Sequence, residues 1–455
     1  MKDTLLLTVK RMGINGEGIA YYKRRAIFIP NAIPGEVVEV KITKDYDGYS
    51  VGEIAKIKEM SPNRIKPRCQ YFGKCGGCQL QHIDYKYQLE LKKEIVKESF
   101  DKYIDGNNLG NLEFRDTIGM KDPWYYRNKT ALPTRHDGES VVVGMYEANS
   151  NRLVYVDGCM LENKLISITM EKILDYLTNA SINVYNPRYQ SGDLRYIVLR
   201  GFEGINEVQV TFVLTREDKR HKNILKDVIK IPNVASVNYT INDDAKAIEI
   251  INNDVICIGG KEKIEGKLKD LKFSISPNAF FQLNTEQTVR LYDEVLKAIN
   301  PKGDELVLDL FCGIGSIGLY LAKSVKEVRG IDINKEGIKD AIHFAKMNNI
   351  DNARFYAGNI NDKMREFKKE GFIPDVVVVD PPRKGMELSL LNYLQTSNIK
   401  KIIYVSCNPA TLVKNINHLQ KYYKVEYVQP VDMFPQTSNV EAVCVLTSRT
   451  GNKKN

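Results

Sequence analysis

The segment that most restricts the fold is Leu306-Val307-Leu308-Asp309-Leu310, which runs directly into Phe311-Cys312-Gly313-Ile314-Gly315-Ser316-Ile317-Gly318. A short apolar run followed by G-x-G-x-x-G and a helical pattern demands a strand, a tight loop and a helix. The glycines allow the turn and let a ligand approach the backbone closely. Asp332 ends the next strand pattern, where a carboxylate can accept hydrogen bonds from both hydroxyls of a ribose. From Asn284 onward, apolar runs at Glu305–Leu310, Glu327–Ile331, Ala353–Tyr356, Asp375–Val379 and Lys401–Val405 alternate with helix-length segments. Near-continuous Val/Ile/Leu strands predict a parallel sheet covered on both faces, the α/β doubly wound arrangement. Two further runs, Tyr423–Pro430 and Ala442–Leu446, have little helix between them and predict an antiparallel hairpin edge. That edge distinguishes a class I methyltransferase domain from a dehydrogenase.

The rest of the 455-residue chain divides, at about 150 residues per domain, into two more parts. Residues 1–60 carry short strand patterns broken by glycines and predict an OB-like β-barrel. Residues 61–275 alternate strand and helix patterns and predict an α+β domain containing the cysteines Cys69, Cys75 and Cys78; residues 276–455 complete the chain. A polar helix is expected over Asp84–Tyr103, and Gly451–Asn455 is expected to fray.

Charge adds to this. The formal net charge is +9, too dilute over this length to demand a polyanionic partner. Through Arg68, however, 13 Lys and Arg face 8 Asp and Glu, so +5 of it lies in the first sixth of the chain. There, Lys23-Arg24-Arg25 follows Tyr21-Tyr22, a pairing suited to stacking on bases and contacting phosphates. Leu5-Leu6-Leu7 before Lys10-Arg11 is too short for a signal-peptide core, and no apolar run reaches membrane-spanning length. A cytoplasmic protein with no membrane partner is expected. There, clustered thiols more often mean metal than disulfides.

Chemistry gathers at the predicted carboxyl edge of the C-terminal sheet. Val376–Val379 ends in Asp380-Pro381-Pro382-Arg383-Lys384-Gly385, placing a carboxylate on a rigid lip where open α/β sheets bind ligands. The neighbouring strand ends in Ser406-Cys407-Asn408-Pro409, a turn that would hold a thiol at that edge. Glu441 enters the last strand, where an acid is awkward unless it is paired or functional. Thiolate, carboxylate and an S-adenosylmethionine site at one edge fit methylation at carbon 5 of a pyrimidine. In that scheme Cys407 adds to carbon 6 as nucleophile and Glu441 removes the carbon 5 proton as base.

Together, Phe280-Phe281-Gln282-Leu283-Asn284, Asp380-Pro381-Pro382-Arg383-Lys384-Gly385, Ser406-Cys407-Asn408-Pro409 and Phe434-Pro435…Val440-Glu441 resemble the RNA uracil-C5 methyltransferase family. The resemblance runs from residue 1 to about 448 and implies an S-adenosylmethionine-dependent enzyme. It places Gln282, Phe311, Ser316, Asp332, Asn359 and Asp380 on cofactor-contacting positions, Cys407 on the nucleophile and Glu441 on the base. Residues 1–60 resemble the TRAM RNA-binding module. One departure stands before Val440, where the family usually has histidine and this chain has Asn439.

Cys69-x5-Cys75-Gly76-Gly77-Cys78 offers three soft ligands, and Cys159 or His82 can supply a fourth. Chemistry alone leaves zinc and an iron–sulfur centre open. The resemblance implies a [4Fe–4S] cluster on Cys69, Cys75, Cys78 and Cys159. It also implies 23S ribosomal RNA as substrate and 5-methyluridine as product. A monomer with no obligate protein partner is expected. A tRNA uracil-C5 or RNA cytosine-C5 methyltransferase, and an RNA-binding iron–sulfur sensor with an inert methyltransferase domain, are the rival expectations.

Overall fold

A computed structural model describes residues 4–104, 112–244, 247, 249–251, 254–397 and 399–449. The tail Gly451–Asn455 lies outside the described residues. Packing groups the chain into two units, one of Met1–Gly73, Cys78–Pro123 and Gln287–Asn455, the other of Lys74–Gly77 and Trp124–Glu286. The first 60 residues thus share a packing unit with the C-terminal part.

In the first unit, six strands form one sheet in the order Leu5–Thr8, Val37–Tyr46, Tyr49–Glu59, Arg25–Ile29, Gly18–Tyr22 and Arg11–Met12. Alternation sets its core: Val38 and Val40 point inward, with Leu7, Val9, Ala20, Ile27 and Ile29, while Glu39 and Lys41 do not. The strand at Gly18–Tyr22 was not expected, because its glycine neighbours read as turn punctuation. Tyr22 pairs with Arg25 across a two-residue turn in which Lys23 and Arg24 have φ of 47° and 70°.

The same unit holds an eight-stranded sheet. Its order is Ala353–Ala357, Glu327–Asp332, Leu306–Leu310, Val376–Val379, Lys401–Ser406, Glu441–Ser448, Tyr423–Val431 and Glu113–Phe114. The first five strands run parallel. Glu441–Ser448 then inserts antiparallel between Lys401–Ser406 and Tyr423–Val431, making the expected hairpin edge. Val376–Val379 is buried throughout, as a strand covered on both faces must be. The helix Tyr85–Tyr103, capped by the Asp84 carboxylate, buries Leu91, Ile95 and Phe100 in the core that also holds Leu412, Ile416 and Leu419.

The second unit is built on a seven-stranded sheet ordered Leu153–Tyr155, Ser140–Tyr146, Lys129–Asp137, Leu194–Phe202, Glu207–Leu214, Val234–Ile241 and Val255–Gly260. The helix Lys164–Asn179 contributes Ile166, Met170, Ile173 and Leu177 to the core over one face. A separate hairpin, Ile264–Leu268 with Leu271–Ile275, completes this α+β unit. Among the described residues, no helix is long and apolar enough to cross a membrane.

Candidate active site

The glycine loop takes the conformation its sequence requires. Gly313 and Gly315 have φ of 54° and 76°, and a side chain at Gly315 would strike the Phe355 ring at 2.6 Å. Phe311 itself has φ 62°, a strained value for an aromatic residue at the loop entrance. Asp332 braces the loop: one carboxylate oxygen accepts from Gly313 N–H at 2.9 Å and the other from Asn334 N–H at 2.8 Å. Each oxygen keeps a second lone pair for a ligand. Asn359 caps the helix Ile360–Lys369 by accepting from Asn361 N–H at 2.9 Å. A cleft of about 240 Å³ lies beside the loop, lined by Phe311, Asp332, Asn359, Pro382, Gly385 and Leu390 among others. Ser316 opens the next helix, and its hydroxyl lies 2.7 Å from the buried Tyr292 hydroxyl.

Next to the cleft, strand register lines up three reactive groups. Leu310 pairs with Val379, Val379 with Tyr404, and Ser406 with Ala442. Phe311, Asp380, Cys407 and Glu441 therefore leave one edge of the sheet. Cys407 sits in a rigid turn: Ser406 Oγ accepts from Asn408 N–H at 3.1 Å, and Asn408 Nδ2 donates to Arg383 O at 3.3 Å. Burial pushes the Cys407 thiol up, Glu441 and Asp380 add to this, and Arg383 opposes it. Glu441 is 9% exposed, and burial, helped by Asp380, raises its carboxyl to about 8. Burial lifts Asp380 to about 7.

Sequence reasoning gives Asp309 no role, yet it is the most constrained carboxyl at this edge. It is fully buried; one oxygen accepts from Gly318 N–H at 2.9 Å, and the other has no hydrogen-bond partner among the described residues. Burial raises it to about 8. The available signal was an acid inside a five-residue apolar strand. An unsatisfied buried carboxyl oxygen, a ribose-ready Asp332 and carboxyls awaiting a counter-charge fit a cationic nucleoside ligand such as S-adenosylmethionine.

Of the expected cofactor residues, Phe311, Asp332 and Asn359 share the cleft, while Ser316 opens the adjoining helix and Asp380 follows the adjoining strand. Gln282 belongs to the second unit, where its carbonyl accepts from Asn128 Nδ2 at 2.9 Å. Asn439 is exposed, and its side chain donates to Thr437 Oγ1 at 3.5 Å.

The cysteines of the expected cluster are distributed over both units. Among the described residues, no group of three or more His, Cys, Asp or Glu side chains is disposed to hold a metal. Cys69, Cys75, Cys78 and Cys159 are half-buried and not joined in disulfides. Cys69 and Cys78 belong to one unit, Cys75 and Cys159 to the other. His82, the alternative ligand, is buried, and burial with Arg64 nearby lowers it to about 4.

A parallel sheet with an antiparallel hairpin edge, a glycine loop and an acid at the next strand end define a class I S-adenosylmethionine-dependent methyltransferase fold. Comparison with known proteins narrows this. Residues 84–449 match the tRNA (uracil-5-)-methyltransferase family and residues 3–55 the TRAM domain. An uncharacterized RNA methyltransferase of Bacillus anthracis is 42% identical over 447 residues, covering 98% of this chain and 97% of the relative. One from Listeria innocua is 42% identical over 446 residues, covering 97% of each. The fold is similar to the Pyrococcus abyssi tRNA (uracil-54, C5)-methyltransferase bound to S-adenosyl-L-homocysteine, with TM-score 0.76 and 27% identity over 97% of this chain and 99% of that one. The chain belongs to the RNA uracil-5-methyltransferase family, and it is an S-adenosylmethionine-dependent RNA methyltransferase carrying a TRAM domain.

Proposed function

We propose that this enzyme converts a uridine of 23S ribosomal RNA to 5-methyluridine, with Cys407 as nucleophile and Glu441 as base. The observation that carries the reading is the register that sets Cys407 and Glu441 on adjoining strands beside Asp380. Bound S-adenosylmethionine supplies an electrophilic methyl group on a sulfonium. Phe311, Ser316, Asp332, Asn359 and Asp380, with Gln282, are the residues proposed to hold it.

Carbon 5 of uracil is a poor nucleophile until carbon 6 is attacked. The Cys407 thiolate forms the S–C6 bond and pushes the ring electrons toward carbon 5 and the O4 enolate. Arg383 is the charge that favours this thiolate against burial. Carbon 5 would then take the methyl group as the sulfonium–carbon bond breaks, leaving neutral S-adenosylhomocysteine. The Glu441 carboxylate removes the remaining carbon 5 proton, the C5–C6 double bond re-forms, and the S–C6 bond breaks to return the thiolate. The target base must leave its stack or lie in a loop, since carbon 6 is attacked from the ring face.

RNA carrying 5-fluorouridine tests the chemistry, because fluorine blocks the last proton removal. A denaturation-stable adduct should form with wild type and not with Cys407→Ser; an adduct in that variant removes Cys407 from its role. Glu441→Gln should accumulate the adduct on ordinary RNA. Full turnover by it would exclude Glu441 as the base.

The ribosomal assignment rests on the combination of TRAM module and cysteine motif; a transfer-RNA reading is favoured by the Pyrococcus neighbour. Mapping 5-methyluridine across both RNA classes with and without the enzyme decides between them. The cysteines enter the proposal through their donor chemistry, since a four-thiol site takes its geometry from the metal it binds. Iron and sulfide analysis of anaerobically purified protein tests it: four irons per chain, lost in Cys78→Ala, supports a [4Fe–4S] cluster, and iron-free folded protein rejects it.

A further inference from the structure

Lys129 and Arg200 face each other on neighbouring antiparallel strands of the second unit, so their side chains leave the same face of the sheet. The intervening positions Leu132, Ile197 and Leu199 belong to the core shared with the helix Lys164–Asn179. The two cations therefore occupy the opposite face. Arg200 is 2% exposed, and its guanidinium donates to the carbonyls of Ser276 at 3.2 Å and Ala279 at 2.6 Å. Those neutral acceptors satisfy its N–H groups without cancelling its charge.

Lys129 is half-buried beside it. Burial and Arg200 together pull its ammonium down to about 8, and burial pulls Arg200 to about 10, with no carboxylate among the described residues acting on either. The acid at this end of the sheet, Glu162, is engaged by Thr130 and Arg127. Like charges opposed across a strand pair are destabilising. Two such cations kept out of water without a counter-ion are a site waiting for an anion.

Their surroundings indicate which anion. Asn128, next to Lys129, donates from its backbone to Leu283 O at 2.9 Å and from its side chain to Gln282 O at 2.9 Å and Thr285 Oγ1 at 3.1 Å. Arg200 holds Ser276 and Ala279 on the approach to the same segment. Arg200 and the residue preceding Lys129 thus both bond to the stretch that carries the Phe280–Asn284 motif, in an enzyme whose substrate is a polyanion. We propose that Lys129, backed by Arg200, seats one backbone phosphate of the substrate RNA beside the Phe280–Asn284 segment. This deepens the proposed function and rests on its reading that a uridine of RNA is methylated at the site to which Gln282 of this motif contributes.

The test uses the full chain and a single-stranded uridine-containing RNA. Lys129→Met should weaken binding and reduce the slope of log affinity against log salt by about 0.7, one phosphate's share on single strands. Lys129→Arg should keep the slope. Without RNA, the Met variant should melt at or above the wild-type temperature, since a like-charge opposition has been relieved. A folded Met variant with wild-type slope, or loss of slope in both variants, overturns the proposal. Should Lys129→Met not fold, Lys129→Gln is read the same way. Weakened S-adenosylhomocysteine binding with unchanged RNA binding would assign the anion to the ligand carboxylate and overturn the phosphate. Uridine methylation is scored separately on the same RNA: methylation with an unchanged slope rejects only the phosphate seat, and a changed slope without methylation rejects only the proposed function.

Discussion

Two lysines withdrawn from water behave in opposite ways. Lys92, fully buried in the helix Tyr85–Tyr103, donates to Asp432 Oδ1 at 2.5 Å and to Phe434 O at 3.1 Å, and Asp432 also accepts from Tyr85 OH at 2.8 Å. Lys129 has Arg200 as its neighbour and no carboxylate among the described residues acting on it. Burial depresses both ammoniums, but only Lys92 is pulled back up by an acid. Depth of burial does not separate a structural cation from a binding one; its partner does. The Lys92 pair has a consequence for the site, because Asp432 opens the loop that ends at Glu441. Gln88 reinforces the clamp by donating to Gln436 Oε1 at 3.0 Å, and Leu80 N–H donates to Gln436 O, also at 3.0 Å.

The largest effect should come from breaking the satisfied pair. Lys92→Met leaves Asp432 buried and unpaired, which costs about 3–5 kcal/mol in urea unfolding. Adding Asp432→Asn should recover much of that loss, because the orphaned charge goes with it. Equal destabilisation by the single and double changes would mean the pair contributes shape rather than charge. Lys129→Met should show no comparable loss, and that contrast is the comparison at its sharpest.

The carboxyls at the sheet edge form the acidic counterpart of Lys129. Glu441 is held protonated up to about 8, above its ordinary value near 4.5. The folded state therefore binds its proton more tightly than the unfolded chain does. The stability this supplies is complete below about pH 4.5 and is lost as pH rises through 8. Between about pH 6 and about pH 7.5 the wild type should lose about 2 kcal/mol that Glu441→Gln keeps, since holding one extra proton costs about 1.4 kcal/mol for each pH unit climbed. A curve unchanged by the substitution would show that Glu441 is not held neutral. Methylation by wild type should rise over the same pH window, since the base works as its carboxylate.

The doubly wound sheet, the hairpin edge and the glycine loop were legible because buried parallel strands and a strand–loop–helix junction leave local patterns. The edge residues Asp380, Cys407 and Glu441 were legible for a related reason: polar groups at the ends of apolar strands are conspicuous. Asp309 is visible in the sequence but silent, since one acid in a strand does not announce that its second oxygen lacks a partner among the described residues. The Lys92–Asp432 pair joins positions 340 apart in the chain, and no periodicity encodes such a contact. Lys129 and Arg200 became visible only once strand register set them opposite each other. The strand Gly18–Tyr22 was missed for a local reason: its flanking glycines satisfy a turn rule as well as a strand end.

A third environment completes the series, with cations that are neither paired nor buried. Lys23 and Arg24 are exposed at the tip of a two-residue hairpin, beside Tyr21 and Tyr22, which are 48% and 42% exposed. Arg25, grouped with them by sequence, is instead engaged by Asp45 at 2.9 Å and by the Tyr46 carbonyl. Lys23 and Arg24 should then carry the electrostatic contact with RNA, and Arg25 little of it. Both have positive φ, where a non-glycine residue costs about 1–2 kcal/mol, and where Asn-Gly is the favoured pair. Replacing Lys23→Asn and Arg24→Gly should therefore raise unfolding stability by about 1 kcal/mol while shrinking the salt slope of RNA binding by up to about 1.5. Arg25→Ala should leave the slope nearly unchanged. If stability rises and the slope stays, the tip is an ordinary solvated turn; if both fall together, the turn's shape rather than its charge is what RNA meets. Opposite signs are the expected result, because side chains retained at an unfavourable backbone angle are kept for what they touch outside the fold.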